Sequence, residues 1–521
     1  MVNHMEGDNL FAEEQNGFRR NRSCSEHIFT LTTLIRNRMQ SNLDTYAAFL
    51  DAEKAFDRID RNLLLYKLLK IGINGKLYEN IKNIYQEAYC AINVNNCLTD
   101  WFKTESGVKQ ADTLSPTLFN IFVNDLVSNV KELDKGVKYG NDMLSILLYA
   151  DDIVLISENP DNLQDLLNCV FDWSKKNIIK FNPKKSNIVH FHKPIRERTE
   201  HEFFLGPQKL DVVDKYKYLG IVLNENLNYE ATAHVLSIAA NRALGSLINK
   251  YKHVNGMGFY TYTKLFNCGV SPILDYGSEI WGYRKFKEID SIQNKAIRIY
   301  LGVHKFAPLA AINGDMGWSD SNIRRKIAMI RLWNRILKME PNRLPSKMLM
   351  WDLAHTGKTW SSEIKAILTS VDMTEKFHNR ETICLTDIWT RLHVIHFTEW
   401  KNETMNKPKL RSYVEFKDNY ETEPYVLGLM SRGNRSFLAQ LRCGILPLEL
   451  ETGRWYNIAI ENRKCKLCSS DSIENEIHFL FQCSAYINER ESLFRKLTNI
   501  IPNFTDVCDE TKLKLLMNTS I

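Results

Sequence analysis

The stretch Ile146-Leu147-Leu148-Tyr149-Ala150-Asp151-Asp152-Ile153-Val154-Leu155-Ile156 decides how the first part of this chain is expected to fold. Two runs of β-forming apolar residues flank a polar dipeptide, which predicts a β-hairpin with both aspartates at its tip. Adjacent carboxylates repel each other, so burying two of them is unfavourable unless a cation compensates their charge. Mg²⁺ would be such a cation, because it binds a few carboxylates together with waters and phosphate oxygens.

A second carboxylate site follows the apolar run Tyr46-Ala47-Ala48-Phe49-Leu50, which is typical of a strand and ends at Asp51. Two strand-end sites lying side by side in one sheet could hold two metal ions about 3.5–4 Å apart for phosphoryl transfer. An Asp-Asp pair is more often a solvated turn, although Asn-Gly or Asp-Gly is the more usual sequence there. The pattern therefore leaves a metal site and a solvated turn equally open, and it does not identify a reaction.

The composition is that of a globular protein. The 521 residues are 44% hydrophobic and 25% charged, which excludes a disordered or collagen-like chain and allows about three domains. The net charge of +6 is too small to indicate nucleic-acid binding by itself. No apolar run reaches the ~18 residues of a membrane span, and residues 1–8 lack the apolar core of a signal peptide. We therefore expect an intracellular protein of the nucleus or cytoplasm, away from membranes, whose eleven cysteines are reduced thiols or metal ligands.

Apolar periodicity alternates between helix and strand up to about residue 225 and is mainly helical from about 230. The pattern predicts helices over 63–71 and 162–176 and strands over 188–191 and 218–223. Pro341 and Pro345, among polar residues, suggest a boundary near 345. We therefore divide the chain into 1–225, 226–345 and 346–521.

A cysteine–histidine cluster near the end of the chain has the spacing C-x2-C-x9-H-x4-C, formed by Cys465, Cys468, His478 and Cys483. Four soft ligands that include a CxxC pair fit one closed, tetrahedral structural zinc site. The alternative is a helix that buries Cys483 next to an incidental CxxC. Basic residues, among them Arg463 and Lys464, crowd the cluster, so contact with RNA or target DNA is expected there.

A basic helix is predicted over 323–338, where apolar residues follow helical spacing. Its other faces carry cations without an acidic residue between them, and Arg324, Arg325, Arg331 and Arg335 are the candidates for nucleic-acid contact. The alternative for these arginines is the solvated face of a packed helix.

Six stretches, in order along the chain, resemble motifs of the reverse transcriptases of non-LTR (LINE-type) retrotransposons. They are QNGFR at 15–19 with RS at 22–23, FLDAEKAFDR at 49–58, GVKQADTLSP at 107–116 with LFN at 118–120, YADD at 149–152, FNPKKS at 181–186 and YLG at 218–220. Further stretches resemble the region on the C-terminal side of the polymerase core in these elements. They are ILDYGSEIW at 273–281, IQNKA at 292–296 and, more loosely, LELETGR at 448–454 before the cysteine–histidine cluster.

The resemblance implies an α+β fold with a right-hand polymerase palm, an antiparallel sheet packed with helices, and truncated fingers. A helical thumb or connection region over 226–345 and a small zinc knuckle at 465–483 would follow. It also implies an RNA-directed DNA polymerase that uses two Mg²⁺ ions, held by Asp51 and Asp151 with Asp152 alongside. One Zn²⁺ would be structural, and the partners would be an RNA template, a DNA primer or target, and deoxynucleoside triphosphates.

The same resemblance implies three contacts with substrates. Phe56 would crowd the sugar 2′ position and so favour deoxynucleotides. Gln110 would lie against the template strand or the incoming base. Lys185 would lie near the triphosphate and assist the departure of pyrophosphate.

The sequence departs from the family pattern at Ala111, where the family usually has glycine, and at Thr113, where it usually has proline. Because glycine allows close backbone approach, Ala111 is expected to crowd the nucleotide or template. The family's earlier finger motifs and its endonuclease have no match, so we interpret the chain as beginning within the fingers of a longer element. The alternative function is therefore a catalytically inactive, truncated protein that binds nucleic acid.

Overall fold

The computed structural model describes residues 2–7 and 10–517. These residues form two compact units, each of which is discontinuous in sequence. The first comprises the described residues up to Thr232, with Gly277–Tyr283 and Ala328–Ile383. The second comprises Ala233–Tyr276, Arg284–Ile327 and the described residues from Cys384 onward. The divisions at 225 and 345 stay a prediction, since they separate sequence motifs rather than packed units.

The chain combines short strands in its first half with helices throughout. The strands are β1 (Thr45–Asp51), β2 (Tyr89–Cys90), β3 (Asn93–Val94), β4 (Cys97–Leu98), β5 (Phe102–Lys103), β6 (Val137–Tyr139), β7 (Asp142–Leu144), β8 (Ile146–Tyr149), β9 (Asp152–Ser157), β10 (Asn187–Phe191), β11 (Phe203–Leu205), β12 (Gln208–Val212), β13 (Lys215–Tyr218) and β14 (Ile221–Asn224). The helices up to residue 301 are α1 (Val2–Gly7), α2 (Cys24–Gln40), α3 (Arg61–Lys70), α4 (Gly75–Gln86), α5 (Ser115–Lys131), α6 (Pro160–Asn177), α7 (Glu230–His253), α8 (Phe259–Gly269), α9 (Ser271–Leu274), α10 (Ser278–Trp281) and α11 (Lys287–Leu301).

The remaining helices are α12 (Leu309–Met316), α13 (Ser321–Leu337), α14 (Leu344–Ala354), α15 (Trp360–Thr369), α16 (Thr374–His378), α17 (Leu385–Met405), α18 (Pro424–Leu427), α19 (Arg432–Arg442), α20 (Glu449–Trp455), α21 (Ile487–Thr498) and α22 (Asp509–Met517). Short 3₁₀ segments lie at Pro408–Leu410, Tyr413–Glu415, Ile460–Asn462, Ser484–Tyr486 and Phe504–Asp506, and a π-helical turn lies at His478–Gln482. No helix within the described ranges combines the length and the apolar character needed to cross a bilayer.

The first unit is built on a six-stranded sheet with the strand order β11-β12-β10-β1-β9-β8. The pairs are antiparallel except for β10 with β12, so the expected antiparallel sheet contains one parallel pair. Central β1 is buried from Thr45 to Leu50. Its Ala48 and Leu50 pack in one core with α5 and α6, while Phe49 stacks on Tyr216 with ring centroids 4.6 Å apart.

Local sequence explains where the covering helices begin. The Asn159 side chain accepts a hydrogen bond from the backbone N–H of Asn162, and Pro160 follows at the first helical position of α6. Leu163, Leu166 and Leu167 then lie on one buried face, at the spacing that predicts this helix over 162–176. The predicted helix at 63–71 and the strand at 188–191 are likewise confirmed as α3 and β10.

One prediction about local structure is wrong. The strand predicted over 218–223 is a hairpin of β13 and β14, because Leu219 and Gly220 both have positive φ and reverse the chain. Close to the boundary predicted near 345, α14 begins and has Pro345 in its first turn. Proline is favoured there because its missing N–H has no partner to lose.

The second unit is helical and has a buried ionic centre. Arg442 and Asp315 form an ion pair at 2.8 Å, and both side chains are fully buried. The hydroxyl groups of Tyr413 and Tyr425 donate hydrogen bonds to the same carboxylate, at 3.0 and 2.8 Å. Buried charges require such partners, so this cluster fixes how α12 and α19 pack.

Candidate functional site

The register of β1 and β9 brings the two carboxylate sites together. Asp51 is the last residue of β1 and lies directly opposite Asp152, the first residue of β9. Residues opposite each other in an antiparallel pair have Cβ atoms about 4.5–5.5 Å apart, so the two side chains are neighbours. Asp151 precedes Asp152 in the turn that joins β9 to β8. The three aspartates expected to form one site therefore lie together.

The hairpin tip differs in detail from the expected one. Tyr149 pairs with Asp152, so the two turn residues are Ala150 and Asp151, and Asp152 already belongs to the strand. Ala150 has φ of 58°, a left-handed conformation that is unfavourable for alanine. Such local strain persists only where surrounding contacts impose it.

Gln15 and Gly17 impose the conformation of this turn. The Gln15 side-chain oxygen accepts hydrogen bonds from the backbone N–H groups of Ala150 and Gly17, at 3.0 and 2.8 Å, and Gln15 is fully buried. A Cβ atom on Gly17 would lie 2.2 Å from the backbone nitrogen of Ala150, so only glycine fits there. Periodicity does not single out Gln15. The signal that could have found it is its place in the QNGFR stretch.

A buried histidine supports the same hairpin from the side of α2. His27 is fully buried, with one ring nitrogen 2.8 Å from the Asn16 amide and the other 2.7 Å from the Tyr218 hydroxyl. Its ring centroid lies 5.7 Å from that of Tyr149. Burial lowers the pKa of His27 to about 3, so the imidazole is neutral at ordinary pH.

Uncompensated negative charge marks the aspartate group. Loss of surrounding water, then the charges of Asp151 and Asp51, raise the pKa of Asp152 to about 6. Burial and the charge of Asp51 also raise the pKa of Asp151. The nearby cation is Lys185, whose Nζ is 3.8 Å from Asp51 Oδ2. This donor set fits Mg²⁺, which prefers carboxylate oxygens and would offset their repulsion.

Phe56 lies in the turn after β1, and Gln110 lies in a second segment that is hydrogen-bonded to this turn. The Phe56 ring is partly buried and stacks on Phe119 with centroids 4.6 Å apart. Exposed Gln110 donates a hydrogen bond from Nε2 to Asp57 Oδ1 at 2.9 Å. The segment that carries Gln110 is held to this turn by a hydrogen bond from the Val108 N–H to the Phe56 carbonyl, at 2.9 Å.

Ala111, the departure from the family pattern, has φ of 60°. This is the left-handed region in which glycine is unstrained and alanine is not. The effect of the substitution is therefore on the backbone of this loop, and the Ala111 side chain is exposed.

The cysteine–histidine cluster is assembled as its spacing predicts. The potential ligand atoms of Cys465, Cys468, His478 and Cys483 all lie within 4.8 Å of one another. The Cys465 and Cys483 sulfurs are 3.8 Å apart, and Cys468 Sγ is 3.4 Å from His478 Nε2. Zinc–sulfur bonds of about 2.3 Å in a tetrahedron place sulfurs about 3.8 Å apart, which agrees with the separation of Cys465 and Cys483.

The two cysteines of the CxxC pair differ in electrostatic environment. Burial raises the pKa of the Cys465 thiol, whereas a hydrogen bond with Ser470 lowers the pKa of Cys468. Zinc binding requires both as thiolates.

The structure contradicts two of the expected nucleic-acid contacts. Arg325 is fully buried and pairs with Asp290 at 2.8 Å. Buried Arg463 donates hydrogen bonds to the carbonyl groups of Ile458 and Leu450, at 2.7–2.9 Å. Both guanidinium groups act within the fold, because neither has a face open to a phosphate.

The remaining basic candidates are accessible to different degrees. Arg324 pairs with Asp275 at 2.9 Å and is 27% exposed. Arg335 pairs with buried Glu26, and Lys464 pairs with Asp471 at 2.6 Å. Arg331 is exposed.

Residues 1–223 match the family model described as reverse transcriptase (RNA-dependent DNA polymerase). The RNA-directed DNA polymerase from mobile element jockey of Drosophila funebris is 25% identical over 289 residues, 54% of this chain and 30% of that protein. The probable RNA-directed DNA polymerase from transposon BS of Drosophila melanogaster is 26% identical over 299 residues, 56% of this chain and 32% of that protein.

A Pol polyprotein from the type-1 retrotransposable element R2 of Nasonia vitripennis is 26% identical over 208 residues, 38% of this chain and 20% of its own length. The chain thus spans a third or less of the length of these relatives. Among solved structures, telomerase from Candida tropicalis aligns with a TM-score of 0.36 and 14% identity over 73% of this chain and 55% of that one.

The motif order and the relatives agree. Residues 1–223 carry a reverse transcriptase domain of RNA-directed DNA polymerase lineage, and the relatives that match it are named as proteins of mobile and retrotransposable elements.

Proposed function

We propose that this chain extends a DNA primer on an RNA template by two-metal nucleotidyl transfer. The observation that carries the proposal is the facing pair of Asp51 and Asp152 with Asp151 beside it, where burial and then the neighbouring carboxylates raise the pKa values of Asp151 and Asp152. A group of this kind is unfavourable without a cation, and its arrangement suits binding of divalent ions.

Asp51 and Asp151 would hold two Mg²⁺ ions, with Asp152 alongside. Bound there, the ions would activate the primer 3′ hydroxyl and stabilise the charge of the departing pyrophosphate. The protein contributes the fixed positions of the carboxylates, which the β1–β9 register and the Gln15-bound turn set before substrate arrives.

Three further side chains would select and orient substrates. Lys185 lies 3.8 Å from Asp51 and would place its ammonium beside the triphosphate, where it offsets the charge of the leaving group. Phe56 is held by the stack on Phe119 and would exclude a ribose 2′ hydroxyl. Gln110 would contact the template strand or the incoming base.

The sheet and its covering helices would form the palm, and 226–345 the thumb or connection region. The cluster at 465–483 would hold one structural Zn²⁺ and order the surrounding loops. Of the basic candidates that are not buried, we propose Arg331 as the main phosphate contact, with Arg324, Arg335 and Lys464 available if their ion pairs open. Such contacts would make binding fall steeply with salt.

Primer extension with deoxynucleoside triphosphates on a poly(rA) template with an oligo(dT) primer and Mg²⁺ tests the proposal. We expect Asp151→Ala and Asp51→Ala to lose activity by about three orders of magnitude, because each removes a metal ligand. Asp172→Ala, an exposed aspartate of α6, is the matched control and should retain activity. Equal rates for Asp151→Ala and the unaltered chain would remove the claim of catalysis.

A second candidate is a non-catalytic protein that binds nucleic acid. The left-handed φ of Ala111 favours it, since alanine strains a loop in which the family usually has glycine. Ala111→Gly distinguishes the two. An increase in extension rate would show that strain limits an otherwise competent enzyme, whereas RNA binding without extension in both forms would support the second candidate.

A further inference from the structure

A cavity with a volume of about 860 Å³ lies in the first unit, beside the loop that leads to Lys185. We call it the α6 cavity, because the C-terminal half of α6 forms one wall. The loop over 178–184 and the turn between β11 and β12 form the others. Its apolar lining consists of Phe171, Ile178, Ile179, Phe181, Pro183 and Leu205. The volume lies in the range of small-molecule sites, about 300–1,000 Å³.

Three exposed lysines, Lys175, Lys180 and Lys184, also line the α6 cavity. Within the described part of the chain, no carboxylate forms an ion pair with any of the three. The Lys175 ammonium lies 4.1 Å from the centroid of the Phe171 ring, which keeps a cation next to apolar surface. The carboxylate in the lining is Glu53, which pairs with Arg58 at 3.3 Å. The lysines therefore place uncompensated positive charge around an apolar interior.

Ile178 at the end of α6 adds exposed apolar surface to the cavity lining. Its side chain is 57% exposed, and its φ of 59° is left-handed, a genuine outlier for a β-branched residue. Glycine or asparagine is usual at this position after a helix. An apolar body in the cavity would cover this otherwise exposed isoleucine.

We propose that the α6 cavity binds a small amphipathic anion, with an apolar body against Phe171, Ile178 and Leu205 and a carboxylate-type head group at the lysines. Charge complementarity selects an anion, and the apolar lining selects a ligand with a hydrocarbon or aromatic body. A nucleic-acid backbone matches the charge alone, since its phosphates would leave the apolar walls uncovered.

Isothermal titration calorimetry of the full chain with decanoate, below the concentration at which it forms micelles, tests the proposal. We expect one site per chain, and binding about tenfold or more weaker for decanol, which lacks the charge, and for acetate, which lacks the body. Equal binding of decanoate and decanol, or no saturable binding, would overturn it.

Two variants probe the charge and the space separately. Lys180→Glu should weaken decanoate binding about tenfold, and Gln208→Trp should block it by filling the cavity from an exposed position of its lining. Lys176→Glu is the matched control, an exposed lysine of α6 outside the lining, and should change binding by less than about twofold.

Thermal unfolding confirms that each variant is folded, and Lys180→Gln replaces Lys180→Glu if the latter is not. The proposal would be overturned if the Lys180 and Lys176 variants lost decanoate affinity equally, or if Gln208→Trp lost none. Binding of a single-stranded RNA that depends on Lys180 while decanoate binding does not would assign the lysines to RNA, and would overturn it as well. None of these measurements depends on polymerase activity.

Discussion

The two candidate metal centres differ in how the chain assembles them. Asp51 and Asp151 are one hundred positions apart and meet because β1 pairs with β9 in one register. The cysteine–histidine cluster lies within 465–483 and is assembled by local turns. A slip of one residue between the strands would turn Asp51 to the opposite face, whereas no rearrangement of the sheet affects the local cluster.

The centres also differ in what holds them in the absence of metal. The aspartates repel one another, and the surrounding sheet and Gln15 keep them in place. The cluster belongs to a region with a small core, so it depends more on metal for its folding. The first site should therefore survive metal removal and the second should not.

The largest expected effect tests the dependence of the cluster on zinc. Cys468→Ser should release zinc and expose 463–490 to proteolysis, because metal binding there supplies folding free energy. The measurement is zinc content together with the cleavage sites found by mass spectrometry. Cys508→Ser, at an exposed cysteine outside the cluster, is the control. Unchanged zinc content in Cys468→Ser would contradict the assignment.

Acidic pH should weaken the support that His27 gives to the hairpin that carries Asp151 and Asp152. The folded-state pKa of His27 is about 3, below its ordinary value of 6.5, so its contribution to stability is present above pH 6.5 and lost as the pH falls towards 3. At pH 4 the loss should be ~3 kcal/mol. Urea unfolding at several pH values should show a flatter profile for His27→Gln, but not for exposed His234→Gln. An unaltered profile for His27→Gln would show that His27 is not the titrating group.

Gln15→Ala should loosen the turn that carries Asp151. The N–H groups of Ala150 and Gly17 lose their acceptor, which should lower the free energy of unfolding by about 2 kcal/mol. If the chain is active, the extension rate should fall as well. Gln164→Ala also removes two hydrogen bonds between a glutamine side chain and the backbone. Because that site is exposed, the free energy of unfolding should fall by only about 0.5 kcal/mol. If Gln15→Ala and Gln164→Ala lowered the free energy of unfolding equally, the turn would not depend on Gln15.

The smallest expected effect is an increase in the free energy of unfolding, whereas the changes above lower it. Without divalent ions, Asp152→Asn should raise the free energy of unfolding by about 1 kcal/mol, because it removes a carboxylate that is unfavourable when partly buried and that is repelled by Asp151 and Asp51. The same variant should reduce the stabilisation that Mg²⁺ gives the unaltered chain. Urea unfolding in EDTA measures the change without divalent ions, and urea unfolding in Mg²⁺ measures the stabilisation by the ion. Asp172→Asn is the control for both. Destabilisation of Asp152→Asn in EDTA would show that the charge of Asp152 does not destabilise the folded chain.

Sequence patterns predicted the elements around the site more reliably than the details within it. The periodicity that predicted α6 and the apolar runs that predicted β8 and β9 are confirmed, because each depends on which residues of a local segment are buried. The exact hairpin tip was missed, since Ala150 gives no local sign of a positive φ. The YLG stretch was predicted as a strand for the same reason, although Leu219 and Gly220 form a turn.

The basic residues show a second limit of the sequence. Arg325 and Arg331 occur on the same helix and look equivalent as charges, yet one is fully buried against Asp290 and the other is exposed. Arg463 precedes the CxxC pair like a nucleic-acid contact but bonds to backbone carbonyl groups. Burial of a cation depends on partners far along the chain, which spacing does not reveal.

The sequence by itself determined the lineage, the identity of the three aspartates and the spacing of the four candidate zinc ligands, because these reside in residue type and order. Only the tertiary structure decided that Asp51 faces Asp152, that Gln15 holds the turn and that an apolar cavity opens beside three exposed lysines. These features arise from strand register and side-chain packing. Both are contacts between residues distant in sequence, whose energies no local pattern encodes.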